Sequence, residues 1–105
     1  MTSMSLPSIP ALLRRYGIRP DKNRGQHFLI NDAVAARIAE TAHLSSDDLV
    51  LEIGPGTGAL TRHLLPVARH VCAVEIDPYL VELLRAEYAH TPHLTVVHGD
   101  MLKID

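Results

Sequence analysis

The sequence predicts an α/β fold built on a parallel sheet, and three observations carry that prediction. Apolar runs of strand length recur at Leu49-Val50-Leu51-Glu52-Ile53, Val71-Cys72-Ala73-Val74-Glu75 and Leu94-Thr95-Val96-Val97-His98. Segments with apolar residues at three- and four-residue spacing separate them, as amphipathic helices require. The first run also passes through Gly54-Pro55-Gly56-Thr57-Gly58 directly into one of these helical segments. Regular alternation of strand and helix implies parallel pairing with right-handed crossovers.

The elements follow in order. Residues 11–16 can form one or two helical turns before Gly17 and Pro20 interrupt them. A clearer helix starts with Asn31 or Asp32 as N-cap and carries Val34, Ala35, Ile38 and Ala42 as a stripe expected to pack on the sheet. After the glycine loop, Leu60, Leu64 and Leu65 continue a helix that Pro66 should end or kink. Asp77-Pro78 reads as an N-cap followed by proline at the first helical position, with Leu80, Leu84 and Tyr88 as the buried stripe. Asp77 is thereby assigned to capping and not to chemistry.

Three glycines at alternate positions between a strand and a helix bring bare backbone close to a ligand. Glycine adopts the positive-φ conformations that a side chain disfavours, and the N–H groups opening the next helix attract electron-rich atoms. The spacing G-x-G-x-G differs from the dinucleotide pattern G-x-G-x-x-G, which disfavours an NAD-binding domain. Glu75 ends the second apolar run about twenty positions after Gly54, where a carboxylate can accept hydrogen bonds from both ribose hydroxyls of an adenosine. Asp100 follows the third run through Gly99, although Gly-Asp is also ordinary turn chemistry. Three strand tips are expected to converge on one nucleotide-binding crevice.

Composition narrows the class further. With 47% apolar residues in 105, the chain can bury roughly 65% of its unfolded surface, enough for a small core. No stretch approaches the roughly 20 uninterrupted apolar residues of a membrane span, and the first ten residues lack a signal-peptide pattern, so a cytoplasmic location is expected. Cys72 is the only cysteine and is expected to be a small core residue. Seven histidines raise the question of metal, but only His90-x-x-His93 has ligand-type spacing, and no metal site is expected. The net charge of −2 hides a division: residues 1–30 hold five basic side chains (Arg14, Arg15, Arg19, Lys22, Arg24) against Asp21, while residues 31–105 hold five against eleven acidic ones. Such a basic leader is a candidate phosphate-contacting arm, its alternative being a solvated tail.

The order of glycine loop, Glu75 and Asp100 resembles the class I S-adenosylmethionine-dependent methyltransferases. Upstream, Lys22-Asn23-Arg24-Gly25-Gln26-His27-Phe28-Leu29, together with Leu51-Glu52-Ile53-Gly54-Pro55-Gly56-Thr57-Gly58-Ala59-Leu60-Thr61, looks like the ribosomal RNA adenine dimethyltransferases. Val74-Glu75-Ile76-Asp77 and His98-Gly99-Asp100-Met101-Leu102 match the same family, so the resemblance covers about residues 12–105. It implies a Rossmann-like sheet with the three strands in order 3-2-1 and flanking helices, preceded by a basic leader over residues 1–30. It also implies S-adenosylmethionine as cofactor, with Gly54 and Gly56 facing its methionine part, Glu75 holding the ribose and Asp100 meeting the adenine amino group. By the same resemblance His27 borders the methionine end and Leu29 supplies a backbone or apolar contact.

The implied partner is 16S rRNA in the small ribosomal subunit, dimethylated at two adjacent adenines. The alternatives are a 23S rRNA methyltransferase of the resistance type and a non-catalytic cofactor- or RNA-binding fragment. In the family, an Asn-(Leu/Ile)-Pro-(Tyr/Phe) motif after the fourth strand carries the chemistry, and no such motif occurs in residues 1–105. No catalytic residue is therefore assigned, and the chain is expected to be the cofactor-binding half of the enzyme, inactive alone. A sheet ending at the glycine-loop strand would leave that strand's edge bare, and either self-association through it or only marginal folding is expected.

Overall fold

The computed structural model describes residues 32–103. The leader, including the short helix expected over residues 11–16 and both His27 and Leu29, lies outside the described residues. The elements run α1 (Asp32–Thr41), β1 (Leu49–Ile53), α2 (Thr61–Leu64), β2 (His70–Glu75), α3 (Pro78–Glu87) and β3 (Leu94–His98), then a 3₁₀ turn at Met101–Lys103. All three strands expected from the sequence are present. They form one parallel sheet in the order β1-β2-β3, the predicted arrangement, with Leu49 opposite His70 and Val71 opposite Leu94.

Two helices supply most of the core. Leu80, Val81, Leu83 and Leu84 are buried where α3 packs on β2 and β3, a wider apolar face than the three-residue stripe expected. Asp77 caps α3 as predicted, its Oδ1 accepting the N–H groups of Tyr79 at 2.8 Å and Leu80 at 3.4 Å, with Pro78 at the first position. Leu64 and Leu65, at the end of α2, join Ala68 and Val71 in a cluster onto which Ala39, Leu44, Val50 and Tyr88 pack. The helix α2 itself is only four residues long, and the chain turns through Pro66 to close on the Leu64 carbonyl with Ala68 N–H.

Two expectations about burial are corrected. On α1 only Ala35 of the predicted stripe is buried, whereas Val34, Ile38 and Ala42 are exposed. The cause is the seat of this helix: α1 leans on α2, tied there by Asp32, whose Oδ1 lies 2.7 Å from His63 Nε2 and 4.0 Å from Arg62 Nη1. Its Ile38 and Ala42 face an open groove of about 310 Å³ between α1 and β1. Cys72 is half-buried, not a core residue. It shares the β2 face opposite Val71 and Ala73, level with Leu51, which is 52% exposed, so among the described residues no helix covers this side of β1.

The glycine loop is seated on α3 by its third glycine. Gly58 has φ +87°, and a Cβ there would meet Leu84 Cδ2 at 3.2 Å and the Tyr88 ring at 3.4 Å. Both the backbone conformation and the close approach require glycine. Gly58→Ala is expected to lower unfolding free energy by about 1–3 kcal/mol, readable from urea denaturation, and an unchanged midpoint would show that the loop yields without cost.

Candidate cofactor-binding crevice

The crevice is built where the three strands end. Backbone bonds draw the tips together: Gly54 N–H donates to the Val74 carbonyl at 2.8 Å and Gly99 N–H to the Glu75 carbonyl at 2.9 Å. The loop reverses direction through positive φ at Gly54, Gly56 and Gly58. Beneath it Glu75 is buried and uses both carboxylate oxygens: Oε1 accepts Gly56 N–H and Oε2 accepts Asp77 N–H, each at 3.0 Å. An ionised carboxylate offers about four acceptor positions, so each oxygen keeps capacity for one further donor.

A cavity of about 230 Å³ opens beside these bonds, lined by Ile53, Gly54, Val74, Ile76, Gly99, Asp100, Met101 and Leu102. A Cβ on Gly54 would point into open space, with no atom within 4 Å. That is the surface a close-approaching ligand needs, bare backbone facing a void. Asp100 plays two parts. Its Oδ1 accepts Leu102 N–H at 2.9 Å, shaping the 3₁₀ turn, while the residue also lines the cavity. Ile76 and Leu102 are exposed apolar side chains among the lining residues, and the sequence reading had not singled them out. The signal was present, since each directly follows or nearly follows a strand-tip acid.

Gly54, Gly56, Glu75 and Asp100 are thus brought together: Gly54 and Asp100 share the cavity, and Gly56 is bonded to Glu75. His93, the histidine of the one ligand-type spacing, instead places Nε2 2.8 Å from the Leu65 carbonyl.

A second buried glutamate was not anticipated. Glu52, inside β1, accepts a short hydrogen bond from the Thr61 hydroxyl and joins the strand to α2. Burial raises its pKa above the ordinary 4.5; the Thr61 bond pulls it down, and the nearby Glu75 pushes it up. Burial likewise raises the Tyr88 phenol, opposed by Arg62 and reinforced by Glu52 and Glu87. The buried Glu52, Thr61 and Arg62 and the half-buried Tyr88 therefore form a polar floor under the loop.

The chain is similar to solved structures of methyltransferases. The 23S rRNA methyltransferase ErmE is 47% identical with a TM-score of 0.70, over 75% of this chain and 32% of that one. A dimethyladenosine transferase from Plasmodium falciparum is 38% identical with a TM-score of 0.67, over 75% and 30%. Strand order, glycine loop and acidic strand tips define a Rossmann-like class I methyltransferase fold. More closely, the chain belongs to the ribosomal RNA adenine dimethylase family, whose model matches residues 19–105.

Among its curated relatives, the ribosomal RNA small subunit methyltransferase A of Thermobifida fusca is 49% identical over 104 residues, 90% of this chain and 36% of the relative. The enzyme of the same name from Clostridium perfringens is 45% identical over 94 residues, 90% and 33%. The chain spans about a third of the length of these relatives.

The raised pKa of Glu52 has a consequence for stability. A carboxyl that binds its proton more tightly when folded contributes stability fully below pH 4.5, and this is lost as pH rises through the higher folded value. Glu52→Gln keeps an oxygen for Thr61 and removes the ionisation. It is expected to match or exceed the parent's stability at neutral pH and to flatten the decline from mildly acidic to neutral conditions. Urea unfolding at a series of pH values checks this, and an identical pH profile in the variant would count against it.

Proposed function

We propose that residues 32–103 form the S-adenosylmethionine-binding part of an rRNA adenine dimethyltransferase acting in the cytoplasm on 16S rRNA of the small subunit. The observation that supports the reading is the strand-tip cavity, where the bare backbone of Gly54 and the acid Asp100 meet apolar walls, next to the glycine loop that the buried Glu75 holds through Gly56. The walls from Ile76 and Leu102 suit a flat base, and the Asp100 carboxylate suits an exocyclic amine at its rim. Glu75 holds the loop and directs its remaining lone pairs to the ribose hydroxyls. Gly54 lets the chain of the cofactor pass against the backbone. When bound, the cofactor supplies an electrophilic methyl group on its sulfonium.

His27 and Leu29 complete the methionine end in this reading, and the basic leader contacts RNA phosphates. Adenine N6 is a weak nucleophile because its lone pair is delocalised into the ring. Polar acceptors for its hydrogens and a ring to stack the extruded base must come from an Asn-x-Pro-aromatic motif, which residues 1–105 lack. The similarity to ErmE keeps a 23S substrate as the second reading. Methylation assays on 16S and 23S transcripts, made with a protein that carries this chain together with the family motif, separate the two.

Titration of the chain with S-adenosylhomocysteine and with its 2′-deoxy analogue tests the ribose contact. Loss of the hydroxyl is expected to weaken binding to the parent by on the order of 1–2 kcal/mol and to matter little in Glu75→Ala. Equal discrimination by both proteins would reassign Glu75 to holding the loop alone. Asp100→Ala should cost less affinity than Glu75→Ala, and NAD should not bind.

A separate expectation concerns chemistry. The purified 105-residue chain should form no dimethyladenosine on small-subunit rRNA, as read by mass spectrometry of digested RNA. Product above background, in a preparation free of longer protein, would require a catalytic group outside the family motif.

A further inference from the structure

The peptide unit between Ile76 and Asp77 is bonded on both sides. Its carbonyl accepts a hydrogen bond from His98 Nε2, which reaches across from the end of β3 at 3.1 Å. Its N–H donates to Glu75 Oε2 at 3.0 Å. Among the described residues no peptide bond is cis, so this planar unit points its two polar groups in opposite directions. Holding the carbonyl therefore aims the N–H.

The Asp77 side chain fixes the next link. Its Oδ1 takes the N–H groups of Tyr79 and Leu80, which ties the residue, at φ −84° and ψ 116°, to the first turn of α3. In a reciprocal capping box the N-cap N–H would be taken by a Glu or Gln three residues on. That position is Leu80, and the N–H goes to Glu75 instead. Asp77 and Glu75 are both buried, and α3 packs on β2 and β3, so the donor that meets Glu75 is anchored in the core. The other oxygen of Glu75 is held by Gly56 N–H. The terminal torsion of a glutamate is ordinarily broad. Here backbone donors from two separate segments set it.

We propose that Asp77 and His98 are positioning residues for the ribose contact: they aim the Ile76–Asp77 peptide, whose N–H turns the Glu75 carboxylate so that both oxygens meet the two hydroxyls together. Neither side chain touches the cofactor in this arrangement. The inference rests on the assignment of Glu75 to the ribose. Two neighbouring hydroxyls require two acceptor oxygens at once, and a carboxylate free to turn would have to be ordered during binding, at a cost in entropy. Truncating Asp77 releases the N–H from α3 and leaves Glu75 oriented through Gly56 alone.

The test uses a protein that carries this chain together with the family motif. S-adenosylhomocysteine and its 2′-deoxy analogue are titrated calorimetrically into the parent, Asp77→Ala, Asp77→Asn and His98→Ala. The parent should prefer the ribose form by about five- to thirtyfold. Asp77→Ala should lower that preference at least about threefold, and Asp77→Asn, which caps as well as aspartate, should restore it. His98→Ala, at an exposed position, should lower it by a smaller factor. The ratio separates positioning from folding, because a general loosening weakens both ligands alike. Parental preference in both alanine variants, or an equal loss of affinity for the two ligands, would overturn the proposal. Should Asp77→Ala fail to fold, the same two outcomes in His98→Ala decide. A parent that binds both ligands equally would refute the ribose assignment itself, and the proposal with it.

Discussion

The Glu75 carboxylate is the joint on which the other parts of the crevice depend. With one oxygen it holds Gly56 of the loop, and with the other it holds Asp77, whose own side chain caps α3. Hydrogen bonds to a charged group contribute about 1.5–3 kcal/mol each, and these two are shielded from water by burial. The loop, the second strand and the third helix are therefore registered to one another by a single side chain. Any ligand resting on the loop inherits that registration.

The loop's glycines divide their labour. Gly54 faces open space, so its missing side chain serves whatever enters the cavity, whereas the missing side chain of Gly58 serves packing on Leu84 and Tyr88. Below them Glu52 works against stability in its charged form while joining β1 to α2 through Thr61. Two acids of one chemical type thus have opposed energetic roles. Glu75 is satisfied by two backbone donors, and Glu52 by one hydroxyl in a desolvated place.

Most of the topology was legible in the sequence because each strand is a short apolar run leading into a glycine or an acid, and α1 and α3 carry their own start signals. Asp77-Pro78 predicted both the cap and its geometry. Gly54, Gly56, Glu75 and Asp100 were legible as a group because strand tips in a parallel sheet meet at one end. What escaped the sequence was burial. A helical stripe says which residues share a face but not what that face meets, so Ile38 was assigned to the sheet and instead borders a groove. Cys72 failed in the same way, since a strand has two faces, and among the described residues the position of Cys72 is less covered than those of Val71 and Ala73 on the other face. Glu52 read as part of a motif, and its role in holding α2 emerged only with the distance to Thr61.

The sheet joins each strand to its nearest neighbour in sequence, β1 to β2 and β2 to β3. Paired residues such as Leu49 and His70, or Val71 and Leu94, are separated by little more than twenty positions. Closing loops of that size costs modest entropy, and lengthening them would cost little more. The consequence is kinetic. These three strands can be laid down in order as the chain emerges from the ribosome, β2 and β3 each finding its template already in place.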